Sequence, residues 1–135
     1  MHQVKRLCEA MGGLEGKRVL ILGLGFRPEV KEHFCSPAFL LRDASLAEKA
    51  EPAVCDPLYT RAEIEEAGFV VGDPEAGDHF DAWMLNTAHD AFLRPDFSDA
   101  KSRGVEAVVD GRNAWSQVRV ETAGITYLAV GRPGR

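Results

Sequence analysis

Apolar residues recur along this chain at two different spacings, and the two kinds of segment alternate. Between His2 and Met11 they stand at Val4, Leu7, Cys8 and Met11, a helical spacing that predicts a helix ended by Gly12-Gly13. Arg18–Leu22 (RVLIL) is instead an unbroken apolar run of strand length. Such runs are expected where a parallel sheet is covered on both faces. After a long loop, Ser36-Pro37 supplies an N-cap serine and a proline for the first helical position, with Leu40, Leu41, Ala44 and Ala47 as the apolar stripe.

The alternation continues to the end. Pro52–Cys55 predicts a second strand, stopped by Asp56-Pro57. Thr60-Arg61-Ala62-Glu63 is a capping box, and Gly68 closes the helix that follows. Further strands are expected at Phe69–Val71, Phe80–Leu85, Val105–Asp110 and Ile125–Val130, with a brief turn at Asp73-Pro74 and a helix over Ser116–Ala123. Strands and helices in alternation argue a Rossmann-like three-layer α/β/α domain with a mostly parallel sheet of about six strands. The stripe of the first helix predicts a surface to pack on, such as an upstream domain.

Composition narrows the function classes. The chain has 135 residues, 45% hydrophobic and 27% charged, enough for one domain with its own core. Its net charge of −5 lacks the basic footprint of a nucleic-acid binder. No apolar run approaches a membrane span or opens the chain as a leader. Cys8, Cys35 and Cys55 have no paired spacing and read as packing cysteines in a reduced, cytoplasmic setting. His33 and Cys35 lack further ligands at metal spacing, so zinc is not expected.

Two strands end in a Gly-Arg pair, at Gly111-Arg112 and Gly131-Arg132. Ligands of open α/β sheets bind outside the carboxyl ends of the strands, and a guanidinium there suits an anion. Gly23-Leu24-Gly25 after the first strand begins a dinucleotide fingerprint, but the third glycine is replaced by Pro28. The next helix starts only near Ser36, too late to hold a pyrophosphate at the glycine turn. No NAD is expected to bind this chain.

Seven short motifs then fall in register with one family. They are Gly16-Lys17-Arg18-Val19 into Gly23-Leu24-Gly25-Phe26, Phe26-x-Pro28, Ser36-Pro37, Asp56-Pro57, Thr87-x-His89-Asp90-x-Phe92, Asp110-Gly111-Arg112-Asn113 and Gly131-Arg132-Pro133. The chain resembles the C-terminal, nucleotide-sugar-binding domain of the UDP-glucose/GDP-mannose dehydrogenases over residues 14–133. The resemblance implies an enzyme that oxidises a sugar C6 hydroxyl to a carboxylate with NAD. It places the NAD domain and the catalytic cysteine in segments not present here, with residues 1–13 as the end of a helical linker and 14–135 as the binding domain. A UDP- or GDP-sugar, the NAD-binding half and a homodimer are the partners to expect. The alternative is a stand-alone binding or assembly module without catalysis.

The resemblance also singles out residues. Arg27 stands where the family has a sugar-approaching lysine, and Phe26 before it could line a pocket or plug the core. Arg112 is the residue expected to meet pyrophosphate or a domain interface, with Asp110 fixing its turn. Substrate binding is thus assigned to Phe26, Arg27 and Arg112, with no catalytic, cofactor or metal residue in the chain. His89 is expected to cap or pack, and Trp83 and Trp115 to pack, with Trp115 a second choice for covering a base. The loop departs from the family at Val30, Lys31 and Phe34, which replace a threonine, an aspartate and an arginine.

Overall fold

The computed structural model describes residues 2–130, apart from the side chains of His2 and Ala76. Five strands, β1 (Arg18–Leu22), β2 (Glu51–Cys55), β3 (Ala82–Leu85), β4 (Ala107–Asp110) and β5 (Thr126–Ala129), form one sheet in the order β2-β1-β3-β4-β5. All four pairings are parallel. Among the described residues five α-helices accompany them: α1 (His2–Met11), α2 (Pro37–Ala47), α3 (Arg61–Glu66), α4 (Phe97–Ser102) and α5 (Gln117–Thr122).

Residues alternate along each strand between two cores. Val19, Ile21, Ala82, Met84 and Val109 pack with α1, α2 and α3. Leu20, Leu22, Trp83, Leu85 and Val108 pack with α4 and α5. Burial on both faces is why these strands are continuously apolar. The expected strand at Phe69–Val71 is reduced to a single parallel bridge, Val54 to Val71, at the outer edge of β2. Only Val70 and Gly72 bond across it, both to Val54.

The stripe of α1 finds its surface on this sheet: Val4 and Leu7 are buried there, and Arg6 Nη1 donates to Ala129 O at 2.7 Å. The stripe expected of α2 is corrected. In α2 the buried face is Ala38, Leu41 and Ser45, while Leu40 is exposed. Small residues at both ends let the helix lie close to the sheet, and the Ser45 hydroxyl donates to Leu41 O within the helix. The caps formed as read: Ser36 holds Ala38 N–H, and Thr60 and Glu63 cap reciprocally. Lys31 bonds Glu63 at 2.6 Å and, with the Thr60 amide, holds that carboxyl below its ordinary range. Among the described residues no helix is long and apolar enough to cross a membrane.

Candidate functional site at the carboxyl edge

Strand order reverses between β1 and β3, so the crevice of this sheet lies at their carboxyl ends. There Gly23 leaves β1 with φ +102°, and a Cβ on it would sit 2.4 Å from the Thr87 side chain. Thr87 uses that space to donate from Oγ1 to Gly25 O at 2.6 Å, while Asn86 Nδ2 donates to Gly23 O at 3.0 Å. Gly23→Ala combines a left-handed alanine with a clash against β-branched Thr87. It is expected to destabilise the fold by about 2–3 kcal/mol in chemical denaturation.

The glycine turn is held from the other side by Asp56, at the end of β2. Its buried Oδ2 accepts from Leu24 N–H at 2.7 Å and Gly25 N–H at 3.1 Å, and Oδ1 accepts from Leu58 N–H. These amides are the donors that a phosphate-binding glycine loop would offer a ligand. Here an internal carboxylate occupies them, and the helix that follows begins only at Pro37. The residues present therefore do not fit a dinucleotide, and Asp56 is an internal anion rather than a ribose ligand.

Strand β4 ends on Asp110, which is fully buried and gathers a second turn. Its Oδ1 accepts from the Arg112 and Ala114 amides, and its Oδ2 from the Trp115 amide and the Tyr127 hydroxyl at 2.7 Å. Gly111 is required because a Cβ there would lie 2.5 Å from Leu85 O of β3. The turn projects Arg112 into solvent, with its Nε donating to Asn86 O at 2.6 Å. No hydrogen-bond partner among the described residues holds either Nη. The guanidinium is oriented through one nitrogen and presents the other two outward.

Arg112, Asn86 and the glycine turn thus form one connected edge, and Phe26 and Arg27 follow directly from it. Phe26 is 46% exposed, which excludes the core-plug reading. Arg27 is exposed, and its guanidinium lies 3.9 Å from the Glu32 carboxylate. The second Gly-Arg pair, Gly131-Arg132, lies outside the described residues. A cleft of about 640 Å³ opens on the α4 face beside Leu22, Cys55, Trp83 and Phe92, and none of Phe26, Arg27 or Arg112 lines it. It exists because the crossover from Val71 to Ala82 carries one 3₁₀ turn, Pro74–Ala76, and no helix.

Of the remaining candidates, Cys35 is exposed and so does not pack as expected, whereas the others are structural. Trp115 is buried and its Nε1 donates to Phe92 O, so it covers no base. Burial, with Asp73, Asp56 and Glu75 nearby, pushes the Cys55 thiol up to about 12, far from a nucleophile. His89 precedes the 3₁₀ turn Asp90–Phe92, but its ring does not cap it. Instead Nε2 lies 3.1 Å from Asp56 Oδ2, and Nδ1 lies beside Glu29. The sequence signal for this pairing was Asp56-Pro57 with Thr87-x-His89, which gave no hint that the two would meet.

The chain is similar to several known proteins. Over 98% of its length the chain is 28% identical to a UDP-glucose 6-dehydrogenase of Pseudomonas aeruginosa, and it spans 32% of that enzyme. A UDP-glucose dehydrogenase structure from Pyrobaculum islandicum superposes with TM-score 0.68 at 27% identity, covering 93% of this chain and 28% of that one. An NDP-N-acetyl-D-galactosaminuronic acid dehydrogenase structure from Methanosarcina mazei shares the fold with TM-score 0.80 at 24% identity, covering 97% and 28%. The chain therefore spans roughly three tenths of the length of such relatives. Residues 20–117 match the model of the UDP-glucose/GDP-mannose dehydrogenase family, UDP binding domain. Its glycine turn closed by an internal carboxylate and its outward arginine are thus features of a chain that belongs to the UDP-glucose/GDP-mannose dehydrogenase family, as its UDP binding domain.

Proposed function

We propose that the carboxyl edge binds the diphosphate of a nucleotide sugar through Arg112, with Arg27 and Phe26 against the sugar. In the whole protein this domain would lay the sugar against an NAD-binding half, a positioning role in oxidation of the C6 hydroxyl to a carboxylate. The NAD and the catalytic cysteine would come from that other part. The observation that carries the reading is Arg112 itself: its Nε is fixed to the Asn86 carbonyl just beyond β3, and its exposed guanidinium presents both Nη at the crevice. End-on pairing of two Nη donors with phosphate oxygens is the geometry for which arginine exceeds lysine. The UDP-sugar names of the relatives favour uridine over guanosine.

One observation favours the stand-alone, non-catalytic alternative. Phe34 is 79% exposed where the resemblance expects an arginine, so this end of the loop lacks the ion pair that an arginine would make. With Phe26 and Val30 it gives an apolar surface for the NAD-binding half, or a second copy of this chain, to cover.

Arg112→Ala is expected to weaken UDP-glucose binding by about 1.5–3 kcal/mol in calorimetric titration, and Arg112→Lys to recover part of it. Stability should change little, because the side chain is exposed. Equal affinities in all three proteins would remove Arg112 from the site.

A further inference from the structure

His89 is fully buried between two carboxylates and takes no part in the nucleotide contacts proposed above. Asp56 faces its Nε2 from the end of β2, at 3.1 Å, and already bonds three backbone amides. Glu29 faces Nδ1 from the loop and offers it two opposite partners. Its backbone N–H lies 2.9 Å from Nδ1, and its Oε2 lies 3.1 Å from the same nitrogen. The Asp90 amide holds that Oε2 at 3.2 Å, and the Phe92 ring covers the imidazole at 5.8 Å. Elsewhere on the loop Arg27 pairs with Glu32 at 3.9 Å and Lys31 with Glu63 of α3 at 2.6 Å.

The two Glu29 bonds cannot both be made. To accept from the backbone N–H, Nδ1 must carry a lone pair, which places the single ring proton on Nε2, donated to Asp56. A second proton can enter only at Nδ1. It converts that nitrogen from acceptor to donor, so the Glu29 amide loses its partner and the Glu29 carboxylate gains one. The amide so released belongs to a residue at φ +59°, a left-handed position for a non-glycine. It stands in the turn Arg27–Val30, closed by a 3.3 Å bond from Val30 N–H to Arg27 O. A strained turn persists only where its surroundings hold it.

We infer that His89 is a positioning residue: its neutral, Nε2-protonated form locks the Arg27 turn, and its protonation unlocks that turn and weakens the nucleoside diphosphate site. The ring touches no ligand; it acts through Glu29 on the backbone that carries Arg27. The effect on affinity rests on the nucleotide reading above, whereas the exchange of bonds at Nδ1 does not.

The test is a pH titration of the ¹⁵N-labelled chain by NMR, following both ring nitrogens of His89 and the Glu29 amide. Above the transition the ring should be the Nε2–H tautomer. As pH falls the proton should enter at Nδ1, with the Glu29 amide shifting in step and its exchange protection dropping about tenfold, the scale of one lost hydrogen bond. The Trp115 amide, held by Asp110, should not follow. Glu29→Gln keeps the backbone N–H but removes the carboxylate that receives the Nδ1 proton, and should displace the amide transition. An Nδ1–H tautomer, a Glu29 amide indifferent to the ring, or a ring that stays neutral until the fold is lost would each overturn the inference.

Affinity is read in parallel with UDP-glucose rather than UDP, whose terminal phosphate titrates near a pKa of about 6 and would confuse the profile. Binding should weaken through the same midpoint as the amide and shift with it in Glu29→Gln. Binding that stays flat across an observed amide transition refutes the coupling. No binding at any pH beside an intact transition refutes the nucleotide reading and leaves the exchange at Nδ1 established.

Discussion

Asp110→Ala should destabilise the domain by about 3–5 kcal/mol, the largest effect expected of any single substitution here. The carboxylate is fully buried and accepts from the turn amides of Arg112, Ala114 and Trp115 and from the Tyr127 hydroxyl. Water can replace it at the half-exposed Ala114 amide but not at buried Trp115 and Tyr127. Asp110→Asn should recover only part of the loss, since its NH₂ must face a donor wherever the amide is turned. Tyr127→Phe, which removes the hydroxyl alone, should cost about 1 kcal/mol. Urea unfolding followed by tryptophan fluorescence compares the three. An Asp110→Ala midpoint close to that of Tyr127→Phe would show that the turn closes without its carboxylate.

The second large effect is at Asp56. Asp56→Ala strips the acceptor from the amides of Leu24, Gly25 and Leu58 and from the His89 ring, and should cost about 3–4 kcal/mol. Its further consequence is chemical. With the carboxylate gone, two adjacent glycine-turn amides become free donors at a strand end, the condition under which such a turn takes an anion. The variant should therefore be stabilised more than the wild type by added inorganic phosphate in thermal melts, by mass action on the folded state. Equal phosphate shifts in the two proteins would mean that the amides are not the donors Asp56 occupies.

How far the sequence foretold this molecule depends on the range of the interaction involved. The capping box at Thr60, the proline start of α2 and the strand at Arg18–Leu22 are set by neighbours a few residues apart, and all formed as read. Strand Phe69–Val71 was overestimated because its apolar pattern is real but it has only β2 beside it, and a one-residue bridge is all the register allows. Helix α4 went unread because its six residues show little periodicity. Its signals were Asp96, which accepts from Asp99 N–H, and Gly104 beyond its end.

The site was legible in residue type and less so in arrangement. Arg112 and the Asp110 turn could be placed because glycine, aspartate and arginine adjoin in sequence at a strand end. The binding of Asp56 to Leu24 and Gly25 spans more than thirty residues, and that of Glu29 to His89 spans sixty. Neither contact leaves a local pattern. Pro28 and the late helix argue against a dinucleotide from sequence alone, and the Asp56 carboxylate seated in the glycine turn adds a reason that no local pattern carries.

Amide chemical-shift mapping of the ¹⁵N-labelled chain with UDP-glucose and, separately, with NAD tests the central claim most directly, since it reports where a ligand sits as well as whether it binds. The expected result is saturable perturbation by UDP-glucose at Phe26–Arg27, Asn86 and Gly111–Asn113, and none by NAD at Leu24–Gly25. Saturable perturbation by NAD at the glycine turn, or UDP-glucose shifts confined to the cleft beside Cys55 and Trp83, would contradict it.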